Sequence, residues 1–163
     1  MKDQNNTKIL QANQNSEGVL RLALNDPDRR NALSEVMLNE LKKAIADASA
    51  NTDVRVIVLA AHGNVFCAGH DLKELTDQRK NSDRGRAYFS KILSHCSAVM
   101  LDIINCPKPV IAEVDGVATA AGCQLVASCD LAVASKRAQF CTPGVNIGLF
   151  CSTPMVAVSR KIN

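Results

Sequence analysis

The sequence predicts an α/β fold, and three observations carry that reading. Two aliphatic runs, residues 54–61 (VRVIVLAA) and 110–114 (VIAEV), look like strands covered on both faces. Each strand feeds a turn built from small residues, and Pro107 and Pro109 exclude helix just before the second one. Between residues 19–24 and 54–61 lies an amphipathic helical pattern, which makes the segment a β-α-β unit of the parallel, right-handed kind.

Taken in order, residues 1–17 are rich in Asn and Gln and are expected to form a mobile tail, with the folded core over 18–163. Residues 19–24 (VLRLAL) form a first strand, and Asn25, Asp26, Pro27 and Asp28 have turn chemistry. Ser34 is placed to cap a helix in which Met37, Leu38, Leu41, Ile45 and Ala48 share one face, ending near Asn51. The charged segment 73–86 reads as part helix and part exposed loop. Ile92, Cys96, Val99, Met100 and Ile103 mark a second long amphipathic helix, stopped by Cys106 and Pro107. After the strand at 110–114, Asp115 and Gly116 turn the chain, and residues 118–128 are small or apolar enough for a short buried helix. Residues 131–134 are expected as a short buried strand and 138–141 as another. Ser152, Thr153 and Pro154 are expected to open a last helix with a side-chain cap and proline at its first position.

Composition bounds what this chain can be. A single domain of 163 residues can bury about 70% of its unfolded surface, so core size is not limiting. With 47% hydrophobic residues, 3% aromatic and no Trp, the composition implies a core of Val, Ile, Leu, Ala and Cys. Seven cysteines, odd in number and without C-x-x-C spacing, fit neither a zinc centre nor a disulfide framework. A net charge of +3, scattered and without aromatic platforms, argues against nucleic acid. No apolar run approaches the ~20 residues of a membrane span. The first 17 residues lack a secretory apolar stretch, and no arginine precedes Arg21, so the chain shows no address and the default is cytoplasmic.

Dinucleotide, P-loop, serine-hydrolase and metalloprotease motifs are absent from the sequence. What remains is a pair of turns. One follows the strand at 54–61 and runs Phe66, Cys67, Ala68, Gly69, His70, Asp71, Leu72; the other covers 118–122. Each is a small-residue turn between a buried strand and a helix, so together they can direct two peptide N–H groups at one oxygen.

At these residues the chain resembles the crotonase (enoyl-CoA hydratase/isomerase) superfamily. The resemblance rests on Arg30-Asn31-Ala32-Leu33-Ser34, residues 66–72, Lys108-Pro109, residues 118–130 and residues 138–148, in that family's order and spacing over roughly 18–160. It implies the crotonase (ClpP-like) fold of repeated ββα units, an acyl-CoA thioester as ligand, and coenzyme A only as part of the substrate. It also implies a C-terminal helical segment that is missing here, a homotrimer or dimer of trimers where that segment is present, and a mitochondrial setting.

By motif position the resemblance puts the two donor amides at His70 and Ala121. It puts substrate contacts at Arg30, Ala32, Ala68, Asp71, Leu72, Ala120, Gln124, Pro143 and Gly144, with Arg29 as a further cation for phosphate. Gln124 and Gly144 stand where hydratase members carry two glutamates. An amide does not exchange protons near neutral pH and glycine has no side chain, so little hydratase activity is expected. Two classes of function stay open: an acyl-CoA lyase or isomerase relative in fatty-acid metabolism, or a non-catalytic acyl-CoA-binding or regulatory protein. A base for the first would have to come from Asp71, His70, Cys141, Glu113 or Asp115. Asp71 reads equally as a helix cap and Asp130 as a hydrogen-bonded structural carboxylate. His62 and His95 are weaker candidates than His70.

Overall fold

The computed structural model describes residues 8–162. Its elements follow a ββα rhythm: β1 (Leu10–Gln14), β2 (Val19–Leu24) and α1 (Glu35–Ala50), then β3 (Val56–Ala61), β4 (Val65–Cys67), α2 (Leu72–Gln78) and α3 (Arg86–Ile104). β5 (Val110–Val114), β6 (Val117–Thr119) and α4 (Ala121–Ser128) repeat it, as do β7 (Leu131–Ala134), β8 (Gln139–Cys141) and α5 (Ser152–Ser159). The larger sheet runs β1-β2-β3-β5-β7 and the smaller β4-β6-β8. The leading strand of each later unit therefore extends the large sheet and its second strand extends the small one. All pairs are parallel except β1-β2.

Local chemistry explains the helices. The Ser34 hydroxyl accepts from the Met37 amide and caps α1. Met37, Leu38, Leu41, Ile45 and Ala48 then form the buried stripe, at roughly 1.5–3 kcal/mol for each large side chain. α3 buries Ile92, Cys96, Val99, Met100 and Ile103. By length and composition α3 is long and apolar enough to cross a membrane, a reach not apparent in the sequence. Here it packs one face on α1 and α4. Lys108, from the family-like pair, donates to the Asn51 carbonyl at 2.8 Å and also to Val54, tying the α1–β3 connection to the entry of β5. Asp130 accepts from the Val110 amide at 2.8 Å, the structural role expected for it.

Five elements depart from the sequence reading. Within the expected tail, Leu10–Gln14 forms β1 and pairs antiparallel with β2, from Leu10 opposite Leu24 to Gln14 opposite Leu20. Its one buried side chain is Leu10, so backbone bonding sets it and polar composition conceals it. Residues 1–7 of that stretch lie outside the described residues. Residues 117–119 form β6 and the helix begins only at Ala121, because parallel pairing with β4 and β8 claims the preceding positions. β7 and β8, both expected to be buried, are exposed along their length, with Leu131 at 63%, Val133 at 65% and Phe140 at 48%, each being the last strand of its sheet. α5 is preceded by Cys151 without a side-chain cap, and Pro154 is its third residue, because the Thr153 hydroxyl is engaged elsewhere.

Candidate functional site

The smaller sheet positions the site. β4, β6 and β8 are parallel, so their C-terminal ends open on one edge, where ligands of parallel sheets characteristically sit. Three turns leave that edge: residues 68–71 into α2, 120–121 into α4, and 142–148, which includes a 3-10 turn over Pro143–Ile147.

The first two turns touch. Gly69 has φ +85°, a conformation that L side chains rarely adopt, and a Cβ built there would lie 3.1 Å from the Ala121 nitrogen. The family-like 30–33 segment braces this turn: Leu33 N–H donates to the Gly69 carbonyl at 2.8 Å, and Ala68 N–H to the Arg30 carbonyl at 3.1 Å. On the other side, Ala120 N–H donates to the Cys141 carbonyl at 2.9 Å, while Ala120 itself sits at φ 52°, ψ −122°. The amides of His70 and Ala121 donate to no acceptor among the described residues. Ala121 is the first residue of α4, so its N–H is one of the free donors at a helix start.

The Asp71 carboxylate is 5% exposed and already committed. It accepts from the Lys73 and Glu74 amides at 2.9 and 3.1 Å and pairs with Arg29, so it is the cap of α2. Glu113 pairs with Arg21 at 2.7 Å. Asp115 accepts from Arg137 and Ser135, and the Arg137 hydrogen bond holds its pKa down at about 2. Three of the expected bases are thus ion-paired or capping groups. Cys141 is an exposed thiol on β8. His62 meets Gln11 at 3.1 Å on an exposed loop, and His95 lies within α3.

The His70 imidazole is half-buried, its Nε2 is shielded and unpaired, and desolvation lowers its pKa. Burial pushes the Cys67 thiol up to about 12, which removes it as a nucleophile near neutral pH.

Of the remaining expected contacts, Ala32 is buried, Ala68 and Ala120 are half-buried, and Leu72 is 66% exposed at the start of α2. Arg30 is exposed, with no ion pair among the described residues, whereas Arg29 is drawn to Asp71. Pro143 is exposed and Gly144 buried. A Cβ on Gly144 would fall 2.5 Å from the Leu149 carbonyl oxygen and 2.7 Å from the Cys151 sulfur, so no side chain fits there as the chain is folded. Gln124 is 7% exposed and accepts from the Thr153 hydroxyl at 2.9 Å.

Sequence reasoning did not foresee two residues that shape this edge. Asn31, fully buried, donates to the carbonyls of His62 and Val65 at 2.8 and 2.7 Å and accepts from the Asp26 amide at 2.8 Å. Its position in the 30–34 motif was the available signal. Thr153, the partner of Gln124, has no such signal, because the two meet only through the packing of α5 on α4. A separate surface depression of about 420 Å³, lined by Gln14, Asn15, Glu17, Asp53 and Arg55, lies where β2 and β3 begin. Strand ends opposite to those of the candidate site frame it.

This fold and edge define a class, and the chain belongs to the enoyl-CoA hydratase/isomerase (crotonase) family, whose model matches residues 14–162. Among curated proteins it is 50% identical over 153 residues to the enoyl-CoA hydratase domain-containing protein 3, mitochondrial, of Mus musculus, covering 94% of this chain and 49% of that protein. A solved human enoyl-CoA hydratase domain-containing protein 3 superposes with a TM-score of 0.85 at 48% identity, covering 94% of this chain and 58% of that one. An enoyl-CoA hydratase of Mycobacterium smegmatis superposes at 0.88 with 50% identity, covering 96% and 59%. The chain spans about half the length of the curated relatives it matches.

Proposed function

We propose that this chain is an acyl-CoA-binding member of the family, in fatty-acid metabolism. The His70 and Ala121 amides hold the thioester oxygen, and negative charge that develops on it as an enolate is stabilised there. The observation that carries the reading is the pair of undonated amides on adjoining turns at the C-terminal edge of β4 and β6. Each such donor is worth about 2.7–4 kcal/mol of transition-state stabilisation. Arg30, Ala32, Ala68, Asp71 and Leu72 then flank the coenzyme A moiety, with Asp71 contributing main chain because its carboxylate caps α2. Ala120, Gln124, Pro143 and Gly144 flank the acyl end.

Hydration is not the chemistry favoured, since Gln124 and Gly144 supply neither a general acid nor a general base. Lyase or isomerase chemistry through the enolate is the catalytic form of the proposal. A non-catalytic, acyl-CoA-binding or regulatory role is the second reading, favoured by the engagement of Asp71, Glu113 and Asp115 in other bonds. Residence in mitochondria and assembly as a homotrimer or dimer of trimers are part of the proposal by likeness to the family.

The test is calorimetric titration with acetyl-CoA and crotonoyl-CoA, followed by mass spectrometry of the thioester. Altered product names a reaction, and intact bound ligand selects the second reading. Ala121→Pro removes one proposed donor at a helix position that tolerates proline. Loss of binding or turnover in a folded variant is expected, and unchanged affinity and rate overturn the oxyanion assignment.

A further inference from the structure

Gln124 combines properties that a simple packing residue does not need. It is more than nine-tenths buried, and its carbonyl oxygen is taken by the Thr153 hydroxyl at 2.9 Å. That bond orients the amide: with Oε1 held by Thr153, the NH2 group points away from it. The NH2 has no acceptor among the described residues and is not closed off from solvent-sized space. A tie between α4 and α5 uses only Oε1, so the two N–H groups are left without a role in the fold.

Position along the helix says where those donors work. Gln124 stands three residues after Ala121 on α4, and residues i and i+3 share a helix face, about 4.5 Å apart along the axis. That spacing suits an oxygen two carbons beyond the thioester carbonyl. Nearby groups reinforce this polarity: the His70 and Ala121 amides also donate, α4 presents its positive end, and the Asp71 carboxylate is neutralised by Arg29.

We propose that Gln124, oriented by Thr153, selects acyl-CoA thioesters that carry a second hydrogen-bond acceptor at C3, a 3-oxo or 3-carboxylate oxygen, over their saturated counterparts. Gln124 is the specificity-determining residue and Thr153 the positioning residue. The inference rests on the thioester-binding reading of His70 and Ala121.

The experiment compares butyryl-CoA, acetoacetyl-CoA and malonyl-CoA by calorimetric titration of the full chain. One added neutral hydrogen bond predicts that acetoacetyl-CoA binds about 3- to 10-fold more tightly than butyryl-CoA. A larger preference for malonyl-CoA would identify the carboxylate as the preferred acceptor, and a preference confined to acetoacetyl-CoA the ketone. Gln124→Leu should bring the acetoacetyl-to-butyryl ratio to about 1, and Gln124→Glu should reverse it, since a carboxylate repels either oxygen. Thr153→Val, which frees the amide to rotate, should lower the ratio by about half or more. A change in overall affinity with the ratio intact would mark both residues as packing groups and overturn the proposal. Equal affinities in the unmodified chain, or a preference that survives Gln124→Leu, also overturn it. Binding of butyryl-CoA without preference leaves the thioester reading standing, whereas a folded chain that binds none of the three overturns both.

Discussion

Substituting Gly122 by Ala tests whether the Ala121 amide depends on close approach of α4 to β4. A Cβ at this position would lie 2.2 Å from the Cys67 carbonyl oxygen and 2.8 Å from both the Cys67 carbonyl carbon and Cβ. The two carbonyl atoms are backbone in a parallel strand, so no side-chain rotation relieves the overlap. Reaching ordinary contact requires the start of α4 to retreat by about 1 Å, near the van der Waals separations of roughly 3.5 Å between carbon atoms. In the opposite direction, alanine is favoured over glycine in a helix by about 1 kcal/mol. Overpacking of a fitted core costs about 1–3 kcal/mol, and the backbone nature of this clash puts it at the upper end. The net loss is then about 1–2 kcal/mol, a fall in Tm of roughly 3–8 °C for a chain of this size. On the proposed thioester reading, acetyl-CoA affinity should fall about 2- to 10-fold, because a donor displaced by about 1 Å no longer makes its hydrogen bond, worth about 0.5–1.5 kcal/mol. Scanning calorimetry and titration with acetyl-CoA read the two effects separately. A variant with raised Tm and unaltered affinity would refute the argument, since helix propensity would then have outweighed a contact that does not matter.

Two further predictions follow from residues beside this contact. Ala120 occupies φ 52°, ψ −122°, a region that costs a residue with a Cβ about 1–3 kcal/mol, so Ala120→Gly should raise Tm by about 3 °C after glycine's extra chain entropy is deducted; a lower Tm would contradict it. His70 has its pKa lowered by desolvation from the ordinary 6.5, so the unfolded chain binds the extra proton first as pH falls. The stability it contributes is complete above about pH 6.5 and declines as pH drops from there through the folded-state value. His70→Gln should flatten the Tm profile in that window, and an unaltered acid slope would place the sensitivity elsewhere.

Much of the fold is legible in the sequence because its signals are local. The α1 and α3 stripes, the Ser34 cap and the β3 and β5 runs are periodic patterns, and the structure places them where the patterns do. What stays illegible depends on partners distant in sequence. β1 is a polar strand held by its backbone, so composition argues for a tail while pairing with β2 makes an edge. β7 has a buried strand's composition and an edge strand's position. At the candidate site, the turns at Gly69 and Ala121 are visible as small residues after apolar runs. The fates of Asp71, Glu113 and Asp115 are not, because Arg29, Arg21 and Arg137 reach them from other elements. Asn31 is the intermediate case, since its place in a motif marks it while its three bonds to residues 26, 62 and 65 appear only in the folded chain.

Gln124 and Gly144, proposed above to stand where hydratases carry two glutamates, are both contacted by the segment 149–153. Its Leu149 carbonyl and Cys151 sulfur crowd the space above Gly144, and its Thr153 hydroxyl holds Gln124. On the proposed assignment, the two positions where acid–base chemistry would need carboxylates are therefore packed against the approach to α5. Gly144→Glu would drive a side chain into Leu149 and Cys151, and its charge would face a carbonyl oxygen already lacking room. Gln124→Glu would fit but would give a carboxylate hydrogen-bonded by Thr153, a bond that favours its charged form. The double variant should thus fail to hydrate crotonoyl-CoA, although two general acid–base groups are together worth about 10⁴–10⁸ in rate when correctly placed. Absorbance of the enoyl thioester with time reads this directly, and urea denaturation should show the double variant and Gly144→Glu alone destabilised by a similar amount. Hydration by the double variant would mean that 149–153 yields readily, and that side-chain identity alone separates this chain from hydration.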